Sequence, residues 1–237
     1  MKKIIGLGVM LLILGVAFQN YQESLLTGAN APEEIPFEDF EGIEFNEELT
    51  ALNIDIPFYT QAPHANWDYP WQEACEEASV LLVANAFNEM NLGLEDYNTE
   101  LLRLVDWEME TFGAYEHTTV EQTVQMITEN YGLQTVVHTD PNFESIQEII
   151  NNGNLIVAPF AGKLLENPNF RNGGPIYHML VIKGYDAEKK QVVTHDVGTR
   201  NGENFVYSWE NIELSLHDWH DDDILLGSAQ FIEVIRP

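Results

Sequence analysis

The segment Gln72-Glu73-Ala74-Cys75-Glu76-Glu77-Ala78-Ser79 stands where a loop rich in Pro, Asn and Trp turns into an apolar helical stretch. Cys75 is the only cysteine in 237 residues. A lone thiol makes no intramolecular disulfide and falls short of a thiolate metal site. What remains is a buried apolar side chain, an intermolecular link or a nucleophile. A thiol at a helix start favours the nucleophile, because the helix N-terminus stabilises thiolate. Glu76 and Glu77 complement the first helical turn. As carboxylates beside Cys75 they would also raise its pKa, and one facing a cleft would select basic or amino-terminal groups on a substrate.

Outward from Cys75, helix signals run from about Ala74 to Asn91 and stop at Gly93. A second helix is predicted over Thr99–Phe112, and a third after Thr118-Thr119-Val120-Glu121, which has the form of a capping box. Upstream, Asn53 to Tyr59 alternates like a strand. Beyond residue 132, strands are predicted over 133–138, 155–160, 176–184, 191–196, 204–207 and 229–235, with a short helix over 143–151. A helical first half before a mostly antiparallel second half is an α+β pattern. There is no internal repeat and no phosphate-binding glycine loop.

Composition narrows the function. With 39 acidic residues against 10 Lys plus Arg, the chain lacks the basic surface that nucleic acid or anionic lipid requires. Met1-Lys2-Lys3 followed by an uncharged run from Ile4 to Phe18 reads as a secretory segment or uncleaved anchor, which places the protein outside the cytoplasm. Residues 32–48 carry eight carboxylates and no cation, the composition of a solvated tether, although Phe37, Phe40 and Phe45 could dock.

A thiol nucleophile needs an imidazole to take its proton and a third group to orient that imidazole. Of seven histidines, His178 alone opens a buried strand, ahead of Met179-Leu180-Val181-Ile182. If the strands over 176–184 and 191–196 form a hairpin, His178 falls opposite a residue between 195 and 199. Asp196 and His195 both lie in that window, and alternation puts them on opposite faces. Asp196 is preferred, since a carboxylate accepts the imidazole N–H and stabilises the imidazolium. Gln61, Gln72 and the Cys75 backbone N–H are candidate oxyanion donors. Trp67, Tyr69 and Trp71 either wall a groove or pack over the helix.

Ile56-Pro57-Phe58-Tyr59-Thr60-Gln61-Ala62-Pro63, Trp67 and Ala74-Cys75-Glu76-Glu77-Ala78-Ser79 together resemble the C39-like group of papain-fold cysteine peptidases. His178 before its apolar strand, Gly184-Tyr185-Asp186 and Thr194-His195-Asp196-Val197-Gly198-Thr199-Arg200 fit as well. The resemblance implies a papain-like α+β architecture, a helical first half packed on a mostly antiparallel sheet. It also implies a catalytic set of Cys75, His178 and Asp196 with Gln61 in the oxyanion hole. The chain has Ala-Cys-Glu where the C39 exporters have Asp-Cys-Gly, and it has no transporter or ATPase. Cleavage of Gly-Gly leaders is therefore not implied.

The expected organisation is a signal peptide or anchor over residues 1–20, an acidic linker over 21–52 and a peptidase domain over 53–237. The expected partner is a peptide or protein substrate, with the chain a monomer and no cofactor. A catalytically silent domain of the same fold that binds peptide or cell-wall ligands is the alternative, and acyl transfer a third. His217 and His220, among four carboxylates of residues 217–223, could bind calcium or zinc, but a solvated loop is favoured there.

Overall fold

The computed structural model describes residues 30–37 and 49–237. The apolar run from Ile4 to Phe18 and residues 38–48 lie outside the described residues. The described chain runs β1 (Ile35–Pro36), β2 (Ala51–Asp55), α1 (Cys75–Phe87), α2 (Leu94–Thr111), α3 (Val120–Tyr131), β3 (Gln134–Thr139), α4 (Phe143–Asn151), β4 (Leu155–Ala161), β5 (Tyr177–Asp186), β6 (Gln191–His195), β7 (Phe205–Ser208), α5 (Trp209–Ser215) and β8 (Gln230–Ile235).

Every residue of β4 and β5 is buried. Their apolar runs do not alternate, because both faces of the sheet are covered there. β4 lies antiparallel on one edge of β5, with Phe160 opposite His178, and β2 continues that edge with Asn53 opposite Gly184. β6 takes the other edge and β7 extends it. β8 and then β3 complete the sheet beyond β4. All of these pairings are antiparallel; β1 joins β2 in parallel.

All thirteen residues of α1 are buried. A helix apolar on every side has no stable place at a surface, so α1 forms the interior, lying on β5 with α2 and α3 beside it. Its N-terminus therefore meets the opening residues of β5, which brings Cys75 toward His178.

Several boundaries differ from those expected. α2 starts at Leu94, five residues before Thr99, and α1 ends at Phe87 rather than Asn91. The cap of α3 is shifted by one residue: Thr119 Oγ1 accepts from Gln122 N and Gln122 Oε1 accepts from Thr119 N. That shift frees Thr118 for contacts in the interior. α5 was not expected, because seven residues are too few for a periodic signal; Ser208 caps it by accepting from Asn211 N.

Part of the acidic stretch read as a tether lies on the domain. Pro32 O accepts from Asn53 Nδ2 at 2.9 Å, and Phe37 stacks on Phe87 under the Arg236 guanidinium. The anchor is Lys183, whose side chain is fully buried. Its Nζ donates to Glu34 Oε1 (2.9 Å), Asn53 Oδ1 (2.8 Å) and Ile54 O (2.6 Å). Burial pulls the Lys183 pKa down while the Glu34 carboxylate opposes the shift.

Candidate active site

Strand register places the imidazole. Val181 faces His195 and Ile182 faces Thr194, and an irregularity at Lys183 then brings Gly184 opposite Val193. Continued toward the start of β5, this register sets His178 across from Gly198 and diagonal to Asp196. A Cβ on Gly198 would stand 2.7 Å from His178 Cε1, so only glycine leaves room for the ring. His178 Nε2 donates to Asp196 Oδ1 at 2.8 Å, and the Phe170 ring packs edge-on against the imidazole.

Asp196 is fully buried and fully bonded. Oδ1 also accepts from Gly198 N (3.0 Å), and Oδ2 accepts from Asn167 Nδ2 (2.9 Å) and Tyr207 OH (2.6 Å). Burial alone would raise its pKa, but the charge and hydrogen bond of His178, with the bonds from Tyr207 and Gly198, hold it below the usual value. Asp196 is thus an anion that fixes the proton of His178 on Nε2 and leaves Nδ1 as the basic nitrogen. Tyr207 and Asn167 were not singled out in the sequence, where nothing marks a tyrosine on a strand or an asparagine in a loop as a carboxylate's partner.

His195 points to the opposite face, as alternation requires. Its Nε2 donates to Ile56 O and its Nδ1 accepts from Asn204 N. Burial, aided by Lys183, lowers its pKa to about 3, so it stays neutral.

Cys75 is the first residue of α1 and 6% exposed. Its Sγ donates to Glu76 Oε2 at 2.9 Å, and the Met179 backbone, one residue past His178, acts in the opposite sense by favouring the thiolate. The expectation that the helix N-terminus would favour thiolate is not met: burial, then the Glu76 charge and its hydrogen bond, push the thiol well above its ordinary pKa. Desolvation of a buried sulfur outweighs a helix-end effect of about 1 kcal/mol.

The two glutamates do not face the cleft. Glu76 and Glu77 turn inward with Glu108 of α2, and all three are at most 1% exposed. Thr118 joins them, its N–H donating to Glu76 Oε1 (3.0 Å) and its hydroxyl to Glu108 Oε1 (2.6 Å). Burial raises Glu76 to about 8 and Glu108 to about 7, and drives Glu77 up as well. Glu77 and Glu108 lie close enough that the charge of one raises the carboxyl pKa of the other. Among the described residues Glu77 Oε1, Glu77 Oε2 and Glu108 Oε2 have no hydrogen-bond partner. Buried carboxyl groups gathered without a counter-ion favour their neutral, protonated forms.

Cys75 and His178 line one cleft of about 880 Å³. One wall is the loop of residues 58–73, with Trp67; the other is built from residues 169–175 and 198–201. Gln61 lines it too, but its Nε2 donates to Trp71 O (2.9 Å) and Gln72 O (3.0 Å). These two bonds fasten the turn before Cys75 and engage the amide hydrogens expected to face an oxyanion. Gln72 lines the cleft with its Nε2 donating to Glu73 Oε1. Tyr69 is exposed, and Trp71 donates its indole N–H to Asn98 outside the cleft wall.

The 217–223 segment has a structural use. Asp218 Oδ1 accepts from Val120 N at the start of α3, Asp218 Oδ2 accepts from Gln230 Nε2, and Trp219 stacks on His117. Among the described residues no three His, Cys, Asp or Glu side chains converge as metal ligands.

This fold and cleft are those of a peptidase-type domain, and the chain belongs to the Peptidase_C39 like family, whose model matches residues 53–220. The chain is similar in structure to a putative C39-like peptidase from Bacillus anthracis, at 15% sequence identity and a TM-score of 0.50, covering 77% of this chain and 96% of that one. It is also similar to xylellain, a cysteine protease from Xylella fastidiosa, at 11% identity and a TM-score of 0.40, covering 81% and 87%. No curated protein matches the chain.

Proposed function

We propose that this protein is a cysteine peptidase that hydrolyses peptide bonds through Cys75, His178 and Asp196. The observation that carries the reading is the shared cleft. It holds a lone cysteine at a helix head and an imidazole whose far nitrogen is tied to a buried aspartate at 2.8 Å. Cys75 gives its proton to His178 Nδ1 and attacks the peptide carbonyl as thiolate. Asp196 stabilises the imidazolium, which then protonates the leaving amine. The Cys75 backbone N–H, at a helix start with no intrahelical acceptor, stands toward the oxyanion. Gln61 is a positioning residue that sets the loop carrying that N–H. The lysine-led apolar N-terminal run supports export or membrane tethering of this activity.

The second reading, a silent peptide-binding domain, is favoured by the hydrogen bond that holds the Cys75 thiol on Glu76. One experiment separates the two. A quenched-fluorescent peptide pool is incubated with the wild-type protein and with Cys75→Ala, His178→Ala and Asp196→Asn variants. The peptidase reading expects cleavage that is lost in the first two variants, reduced about hundredfold or more in the third, and indifferent to chelator. Cleavage that survives Cys75→Ala, or a wild-type protein that binds peptide without turnover, overturns it.

A further inference from the structure

Arginine is scarce in this chain: four residues, at 103, 171, 200 and 236, in a protein of net charge −29. Two of the four, Arg171 and Arg200, line the cleft that holds Cys75 and His178. Both are exposed, and among the described residues neither guanidinium has a hydrogen-bond or ion-pair partner. The other two are engaged: Arg103 pairs with Glu100, and Arg236 lies over Phe37.

Their placement is set by the groups that hold the imidazole. Arg171 follows Phe170, whose ring packs on His178, and Arg200 stands two residues after Gly198, which lies against His178 Cε1. The two loops are fastened together by Asn201 Nδ2 donating to Asn169 Oδ1 at 2.9 Å and by Asn167 Nδ2 donating to Asp196. Both arginines therefore belong to one wall of the cleft, on the imidazole side. A chain spans about 3.3–3.6 Å per residue when extended, so such a wall reads residues close to the scissile bond. Glu73 is the carboxylate in the facing wall, and it is occupied in part by Gln72.

We propose that Arg171 and Arg200 form a carboxylate-recognition subsite, and that the preferred ligand is a peptide bearing an acidic group within about three residues of the bond held at Cys75. This rests on the peptidase reading for its position relative to a scissile bond. A guanidinium matches a carboxylate through two parallel N–H donors, which a lysine cannot do. The rest of the surface repels acidic peptides, so unpaired cations kept inside the cleft are what would draw one in. The acidic group is either a Glu or Asp side chain or a chain-terminal carboxylate, and both offer the same two oxygens.

The test uses quenched-fluorescent peptides in pairs that differ only in Glu against Gln at each position around the cleaved bond, each with a free or an amidated C-terminus. For wild type, kcat/KM is expected to be about tenfold or more higher for the carboxylate member at one position, and the advantage to shrink in high salt. A side-chain advantage that persists in amidated peptides assigns the subsite to Glu or Asp; an advantage confined to free C-termini assigns it to the terminal carboxylate. In the double variant Arg171→Gln/Arg200→Gln the ratio falls to about one, and Arg200→Glu turns it toward Lys-bearing peptides. A wild-type ratio near one, or a ratio that survives the double variant, overturns the proposal. The same peptide pairs are titrated into Cys75→Ala, with and without the arginine substitutions, by calorimetry. Arginine-dependent binding of the acidic member without turnover by wild type sinks the peptidase reading and leaves this one standing. Turnover that does not discriminate Glu from Gln does the reverse.

Discussion

At the residue scale the decisive feature is that Cys75 shares a cleft with His178 but gives its hydrogen bond to Glu76. His178 is the proposed base, whereas Glu76 takes the thiol's hydrogen bond from the buried side and disfavours thiolate. Glu76 is itself raised to about 8, so it is protonated and without charge at pH 6 but largely ionised at pH 9. Glu76→Gln is therefore expected to accelerate iodoacetamide alkylation of Cys75 about tenfold at pH 9, by removing a carboxylate charge in contact with the sulfur. It should change the rate little at pH 6. Mass spectrometry of the Cys75 peptide measures both rates, and an unchanged rate at pH 9 would show that Glu76 does not govern the thiol.

At the element scale, β1 is held to the domain by a buried charge in addition to the apolar packing of Ile35 and Phe37. Two residues pair with β2, but behind them the ammonium of Lys183 depends on Glu34, Asn53 and Ile54 O. Removing one partner of a buried ion leaves the other uncompensated, whereas replacing that ion with an apolar side chain of like volume is often tolerated. Glu34→Ala is expected to cost about 2–3 kcal/mol in urea denaturation, moderated because water reaches Glu34. In a Lys183→Met background the same substitution should cost less than about 1 kcal/mol. Equal costs in both backgrounds would mean that β1 is held by its strand pairing and Phe37 alone.

At the scale of the whole molecule, pH acts on stability through the carboxyl cluster beneath Cys75. The folded pKa values of Glu76, Glu77 and Glu108 are all raised above the ordinary carboxylate value of 4.5. The folded state thus binds more protons than the unfolded state between pH 4.5 and about 8. Stability is accordingly expected to fall as pH rises through that window. Asp196 acts oppositely, its depressed pKa withdrawing stability only as pH drops below about 3.8. Net charge of −29 also weakens the fold as pH rises, but that surface repulsion is screened at 0.15 M salt, where the Debye length is about 8 Å. The buried cluster is not screened. Glu77→Gln, whose amide can donate to Glu108 at any pH, should flatten the remaining decline in Tm between pH 5 and 8 at high salt. A slope as steep as the wild type's would place the titration elsewhere.

Local chemistry made much of this legible. The lone Cys75 at a helix head, the apolar runs of β4 and β5 and the alternation that separates Asp196 from His195 are short-range patterns, and the structure follows them. A tight connection limits how two strands can slide, which confined the partner of His178 to residues 195–199; the register that sets Asp196 diagonal to it came from the fold. What sequence order could not carry was which side chains meet across long separations. Glu76 and Glu77 looked like helix-start carboxylates, and only the packing of α1 against α2 turned them inward onto Glu108. Gln61 looked like a free donor until the loop brought the Trp71 and Gln72 carbonyls to it. Lys183 gave no sign that its counter-ion lay in an acidic stretch 149 residues earlier. Residue type and period fix local conformation and the kind of chemistry available, whereas desolvation and pairing are set by neighbours that only the folded chain assembles. Those two effects decide whether a thiol, a carboxyl or an amine is charged.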